Sequence, residues 1–457
     1  MTSALSENRK RKLRPPALLA ALVLLFSLPA CSVGSQAVSS DTASVSSEVS
    51  SAPESSSYAP SSDTTSFEIP SESPLTSFFS SDYVKGEYAD EYSSVISSEV
   101  MSVPAEPIYV NVWSPSEDGQ SISYAAKEVT SVTYSKVFSL LRKAGVVSSA
   151  IYVNNFARSY DGDKSYLMLD LSENFTSYLK NCGREDAVMG SIVNTFLEAY
   201  GAEKILITVK KYTLKTSKRT YAGVLTRYSP DLYDLGYNVI TPIDTGVTPT
   251  KKVAITFDDG PHYGYTWLIM DKLRQYGATA TFFSIGENLW GSGADAVASA
   301  YSYGNEVGIH AYTHDYNYKT CSDKNYSREI TKTANAIQSL TKIYPTLMRP
   351  VGGSISAERV KASSFAVIHW SIDSNDWRYK TRDTVATREA NVQKIANNVL
   401  KANVRDGDII LMHELYGNSF DAFCIIIEEL YKRGFEVVTV SELLSNPAPG
   451  KLYYHGR

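Results

Sequence analysis

A chain of 457 residues exceeds what one hydrophobic core ordinarily holds, so two or three domains are expected and a single small module is excluded. With 43% hydrophobic and 20% charged residues, the composition is that of a globular protein, and a net charge of -5 excludes nucleic acid as the expected partner. That charge is sorted along the chain: residues 1–31 carry Arg9, Lys10, Arg11, Lys12 and Arg14 against Glu7, and residues 32–103 carry eleven acids against Lys85 alone.

The basic stretch is followed by an apolar run, Ala17 to Leu28, too short for a comfortable permanent span, and then by Leu28-Pro29-Ala30-Cys31. This reads as an export signal over residues 1–30. Leu-x-Ala-Cys resembles a bacterial lipobox, which implies lipidation of Cys31 and anchoring at the extracellular face of the cell membrane. A plain signal peptide cut near Ala30 would instead leave the chain secreted. Beyond Cys31 only Cys182, Cys321 and Cys424 remain, which excludes a disulfide scaffold. Cys182 and Cys424 read as small buried hydrophobes.

Residues 31–103 form a disordered acidic linker in this reading. They hold 25 serines and no sustained apolar periodicity, so the segment buries too little to offset its ordering entropy. A small α/β domain is expected over residues 104–228. Its strands are Ile108 to Trp113, Tyr166 to Leu171 and Lys204 to Val209, with helices at Ser135 to Ala144 and Glu185 to Tyr200. The pattern Leu169-Asp170-Leu171-Ser172, then Gly190-Ser191-Ile192-Val193-Asn194-Thr195, resembles the GerMN domain of sporulation and germination proteins. That implies an accessory or localising role. Asp170-x-Ser172 after a strand reads as a helix N-cap, not as chemistry.

Residues 229–250, with Pro230, Gly236, Pro242, Gly246 and Pro249, read as a linker. From 251 to 445 the pattern becomes repeated β-α units, which imply a mainly parallel sheet curled into a barrel with its site at the strand C-termini. Strands are expected at Val253 to Phe257, Ala280 to Ile285, Glu306 to His310, Phe365 to Ile372, Asp408 to His413 and Val437 to Val440, and residues 446–457 read as a tail.

Polar residues at those strand ends carry the chemistry. Asp258-Asp259-Gly260-Pro261 puts two carboxylates side by side, which calls for a cation or a shared proton, although the dipeptide alone also suits an Asx-turn. His310 and His314, four apart, can supply with one carboxylate an N,N,O set for zinc or a similar divalent ion. Ala311 stands where a zincin peptidase needs Glu. Three further sets follow: Arg349-Pro350-Val351-Gly352-Gly353, Asp373-Ser374-Asn375-Asp376-Trp377 and Leu411-Met412-His413. Taken singly, each has an ordinary structural reading as ion pair, turn or core.

In this order the five sets resemble the motifs of NodB-type polysaccharide deacetylases, carbohydrate esterase family four, over residues 250–445. The resemblance implies a deformed (β/α) barrel and a metal-dependent de-N-acetylase of GlcNAc-containing polysaccharide such as peptidoglycan. It implies Asp259, His310 and His314 as ligands of a divalent metal, Zn2+ first, with Co2+, Mn2+ or Ni2+ as alternatives. It further implies Asp258 as general base, Arg349 as its partner, Asp376 paired with His413 as general acid, Trp377 and Leu411 as acetyl-pocket walls, and an oxyanion N–H from Gly352.

The chain departs from the family at Ala311, where a hydroxyl usually braces the ligand loop, so weaker metal binding is expected. A second departure is Val351-Gly352, where Pro and an aromatic residue are common. His262, His369 and His455 match no motif, and His262 reads as a solvent-facing loop residue. A catalytically decayed wall-binding lipoprotein is the alternative, and the intact Asp and His set argues against it. An iron oxygenase with two histidines and one carboxylate is disfavoured by the second aspartate and by His413. No feature indicates an oligomeric state.

Overall fold

The computed structural model describes residues 106–380 and 384–456. The export signal, Cys31 and the whole serine-rich segment to residue 103 lie outside the described residues.

The N-terminal part builds a seven-stranded sheet with a separate two-stranded ribbon, Ile108–Pro115 and Ile122–Val129. Its central strands, Lys164–Leu171 and Lys204–Val209, run parallel, and Val153–Asp161 pairs antiparallel with the first. The helix Glu185–Tyr200 is buried along nearly its whole surface. It ends at Gly201, whose φ of 56° supplies the left-handed turn that stops it. The stretch expected to be pure linker contributes one more strand, Leu235–Tyr237, paired with Leu225–Tyr228.

The two central strands read as continuous apolar runs because both of their faces are covered. Leu167, Leu169, Ile205 and Ile207 pack into the core of this sheet and its own helices. Their alternates Tyr166, Met168 and Leu206 belong to the core of the following barrel, alongside Leu268, Phe420 and Phe423. A strand's period of two thus places one side of each strand in each domain. Two partly buried ion pairs cross the same boundary, Lys272–Asp161 at 2.6 Å and Lys204–Asp271 at 2.7 Å.

The C-terminal part is a parallel sheet running Ile372–Asp373, Ile409–His413, Lys251–Asp258, Thr281–Ile285, Glu306–Ala311, Leu347–Met348 and Ala366–Ile368. The first and seventh of these strands are successive pieces of one stretch, which the sequence pattern reads as a single strand from Phe365 to Ile372, and Leu452–Tyr453 pairs outside the seventh. The chain breaks at His369-Trp370-Ser371: His369 N–H bonds to Tyr453 and Ser371 N–H to Ile409. The sheet therefore curls round, and the C-terminal segment closes the gap: Leu452–Tyr453 pairs with Ala366–Ile368, and His455 forms a bridge with Asp408. Two short strands fall where the sequence suggests otherwise. Val438 to Val440 leaves the sheet after Phe435–Val437 and starts the helix Val440–Leu443, capped by Thr439, and the tail supplies Leu452–Tyr453.

Candidate active site

Parallel register sets the site. Asp258, last in its strand, lies level with His413, last in the neighbouring strand, and with Phe283 on the other side. Asp259 follows with φ of 70°, a left-handed turn that ends the strand's alternation and brings its carboxylate to the same His310 ring that Asp258 approaches. His310 lies in the strand Glu306–Ala311, and His314, also at positive φ, lies in the loop after it.

Asp259, His310 and His314 offer ligand atoms that all lie within 4.8 Å of one another. Asp259 Oδ1 is 3.2 Å from His310 Nε2 and 3.3 Å from His314 Nε2, yet this buried oxygen has no hydrogen-bond donor. His310 Nδ1 sits 2.9 Å from the Arg349 carbonyl, which can only accept, so its proton is on Nδ1 and its Nε2 presents a lone pair to Asp259. An anionic oxygen facing imidazole lone pairs is the donor set of a divalent cation, and these residues fit one.

Asp258 makes a different contact. Its Oδ1 accepts from Arg349 Nη1 at 2.8 Å, and the same Nη1 donates to Thr256 Oγ1 at 2.6 Å. Arg349 is fully buried, with Nη2 on the His369 carbonyl and its guanidinium 4.3 Å from the centre of the Phe283 ring. Asp376 Oδ1 lies 2.7 Å from His413 Nδ1, while Oδ2 accepts the His413 backbone N–H at 2.8 Å. Burial would lower His413, but Asp376, with Asp259 and Asp258, pushes it up to about 10. Its Nε2 points the other way, 3.9 Å from Asp259 Oδ2. Leu411, buried, shares the face of His413 two residues earlier, and Trp377 stands 42% exposed beside Asp376 in sequence. Gly352 is exposed in the turn after Pro350 at φ of 56°, a conformation that favours glycine.

Three expectations change. Ala311 does not leave the histidine loop without support: the buried Glu329 accepts from the backbone N–H groups of Tyr312 and Thr313, and Thr333 donates to the Ala311 carbonyl. Glu329 and Thr333 sit one turn apart on the inward face of the helix Asp323–Thr341, and an acid among apolar inward positions is the sequence signal that marks them. His262 is buried, and its Nδ1 accepts from the N–H groups of Gly264 and Tyr265. Asp170 and Ser172 cap no helix. Asp170 bonds to Thr208, Asn154 and the Lys211 N–H, and the Ser172 hydroxyl accepts from Tyr152, because strands from elsewhere in the sheet reach these groups first.

Sequence reasoning also passes over Glu414. It is buried directly after His413, bonds to the Thr266 hydroxyl, and is pushed up to about 8 by burial, with Asp259 and Asp258 adding to the effect. It packs on the Asp258–Asp259 turn: a Cβ at Gly260 would fall 1.6 Å from Glu414 Oε1. Cys424 is buried as expected, whereas Cys182 is only half-buried.

Residues 245–368 match the family described as Polysaccharide deacetylase. The chain is 30% identical over 205 residues to the peptidoglycan-N-acetylglucosamine deacetylase PgdA of Listeria monocytogenes, covering 45% of this chain and 41% of the relative. It is 34% identical over 203 residues to the peptidoglycan-N-acetylmuramic acid deacetylase PdaC of Bacillus subtilis, covering 44% and 41% respectively. The chain thus spans about two fifths of the length of both relatives. A shorter peptidoglycan-N-acetylglucosamine deacetylase of Bacillus cereus is 36% identical over 201 residues, which make up 42% of this chain and 88% of the relative. With nearly the whole of that relative matched, the chain belongs to the polysaccharide deacetylase family.

Proposed function

We propose that the chain is a metal-dependent hydrolase that removes N-acetyl groups from the N-acetylglucosamine residues of peptidoglycan outside the cell, releasing acetate. The observation that carries this reading is the meeting of two separately partnered groups, Asp258 on Arg349 and His413 on Asp376, around the Asp259, His310 and His314 cluster.

Asp259, His310 and His314 would hold a divalent ion, Zn2+ in this reading, and it would supply Lewis acidity for the acetyl carbonyl and for a water. Asp258, aimed by Arg349, takes the proton as the water attacks the amide carbon. Gly352 offers a backbone N–H to the developing oxyanion. His413, kept protonated and oriented by Asp376, gives a proton to the departing amine. Leu411 and Trp377 bound the space for the acetyl methyl group. The base and the acid are held by different partners, so one can be anionic while the other is cationic, as the reaction requires. No covalent intermediate forms, and the products are acetate and a free amino sugar.

The Leu28-Pro29-Ala30-Cys31 pattern supports a lipid-anchored protein whose serine-rich segment spans the distance from membrane to wall. The test is acetate release by the mature chain, stripped of metal and then reloaded, from purified peptidoglycan and from N-acetylglucosamine oligomers, beside Asp258→Asn. Release that depends on metal and falls about 100-fold or more in the variant is expected. Release equal to the variant's from every substrate refutes the reading.

A further inference from the structure

Of the chain's five tryptophans, Trp113 and Trp267 are buried and Trp370 is half-buried. The two exposed ones, Trp290 and Trp377, both follow the C-terminal ends of barrel strands, on the face that carries the site. Trp377 belongs to a motif already described. Trp290 does not, and it is tied to the metal-ligating turn: Asn288 donates to the Asp259 carbonyl at 3.1 Å, and the Trp290 N–H bonds to the Asn288 carbonyl.

Trp290 is also where the N-terminal domain reaches that face. Its ring lies 5.6 Å from that of Tyr212, inclined by 56°, and the two residues are 47% and 56% exposed. Tyr212 opens the short strand Tyr212–Lys215. The seam beneath is fixed on both sides: Ser292 N–H bonds to the Lys211 carbonyl, and a Cβ at Gly291 would fall 2.7 Å from that oxygen. Lys215 pairs with Asp295 at 3.1 Å.

Domain docking does not account for these exposed rings, because the buried residues Tyr166, Met168 and Leu206 and two partly buried ion pairs already hold the domains together. Two large aromatic faces left in water beside a catalytic turn have a ready ligand chemistry. The C–H face of a pyranose packs on the electron-rich face of an aromatic ring, while its hydroxyls stay solvated.

We infer that Trp290 and Tyr212 form a composite subsite that stacks a sugar of the polymer chain flanking the N-acetyl group being cleaved. The inference rests on the hydrolase reading above and deepens it. It gives the N-terminal domain a part in substrate binding: Tyr212 supplies one wall of the groove that the barrel begins. Such a subsite acts only on substrates long enough to reach it, so it lowers KM for long chains and leaves the chemical step unchanged.

The test compares the full mature chain with Trp290→Ala, Tyr212→Ala and the conservative Trp290→Phe and Tyr212→Phe, using an N-acetylglucosamine disaccharide and hexasaccharide. Each alanine variant is expected to raise KM for the hexasaccharide about fivefold to tenfold at unchanged kcat, to leave the disaccharide unaffected, and to be largely rescued by phenylalanine. Equal effects on both oligomers, or no effect on either, overturn the subsite. Calorimetric binding of the hexasaccharide to the same proteins separates this inference from the hydrolase reading. If no acetate is released but binding weakens only in the alanine variants, the hydrolase reading fails and the subsite stands. Unchanged binding in those variants, or none by the unsubstituted chain, overturns the subsite. Melting temperatures within about 2 °C of the parent identify variants with intact docking, and the phenylalanine pair carries the comparison where alanine falls outside that range.

Discussion

Two aspartates near strand ends, one in each domain, show how similar local sequences come to different ends. Asp170 closes an apolar strand in the N-terminal sheet, and both of its oxygens are occupied, by Thr208, Lys211 N–H and Asn154. Asp259 follows an apolar strand in the barrel, and its Oδ1 has no donor while facing two imidazole nitrogens. A buried carboxylate that is fully bonded holds strands together. One that is left open among lone pairs is incomplete without a cation. What separates them is the company each keeps, which neighbouring strands determine.

The comparison breaks most sharply under substitution. Asp259→Asn is expected to remove metal binding and lower acetate release about 1,000-fold or more, with folding retained, whereas Asp170→Asn should keep activity and cost about 1–3 kcal/mol of stability. Metal content, acetate release and urea unfolding of both variants check this. If Asp170→Asn loses metal, the distinction between the two sites is wrong.

The shared boundary sharpens the contrast at the level of whole domains. Lys272→Ala leaves the partly buried Asp161 with Tyr166 but without its cation and should cost about 2–3 kcal/mol, measured as loss of stability in the full chain. A barrel produced without residues 106–250 would expose the surface that Tyr166, Met168 and Leu206 cover.

A smaller effect is expected from pH. His262, at that boundary, is pulled down to about 3 by burial and by Lys211, and its Nδ1 must stay unprotonated to accept two backbone N–H groups. A histidine with a depressed folded value adds stability that is full above its unfolded value, about 6.5, and is lost as pH falls toward about 3. Stability should therefore decline from pH 6.5 downward, and His262→Asn, which keeps an acceptor but does not titrate, should flatten that decline. An unchanged slope would remove His262 from the account.

Much of this was legible before any coordinates. The barrel strands Lys251–Asp258, Thr281–Ile285, Glu306–Ala311 and Ile409–His413 fall within a residue or two of their apolar runs, and polar residues cluster at their C-terminal ends. The N-terminal domain was harder to read, because Ile122–Val129 and Val153–Asp161 are largely exposed or half-buried and carry weak alternation. The break at His369-Trp370-Ser371 leaves no mark in an apolar run, since it arises where one stretch must pair with Leu452–Tyr453 first and with Ile409–His413 next. Glu329 can be marked as an acid on an inward helix face, but its role as a brace is not legible, because two of its partners are backbone N–H groups, which every sequence has.

The amino-acid sequence by itself determined which residues stand at the strand ends, because strand periodicity and turn residues are local, and it supplied the five sets that the site combines. Tertiary structure alone decided that Asp258 lies level with His413, that Asp259 is left without a donor, and that Tyr212 of the first domain meets Trp290 of the second. Those outcomes depend on strand register and on two surfaces packing together, and both are set by contacts between residues far apart in the chain.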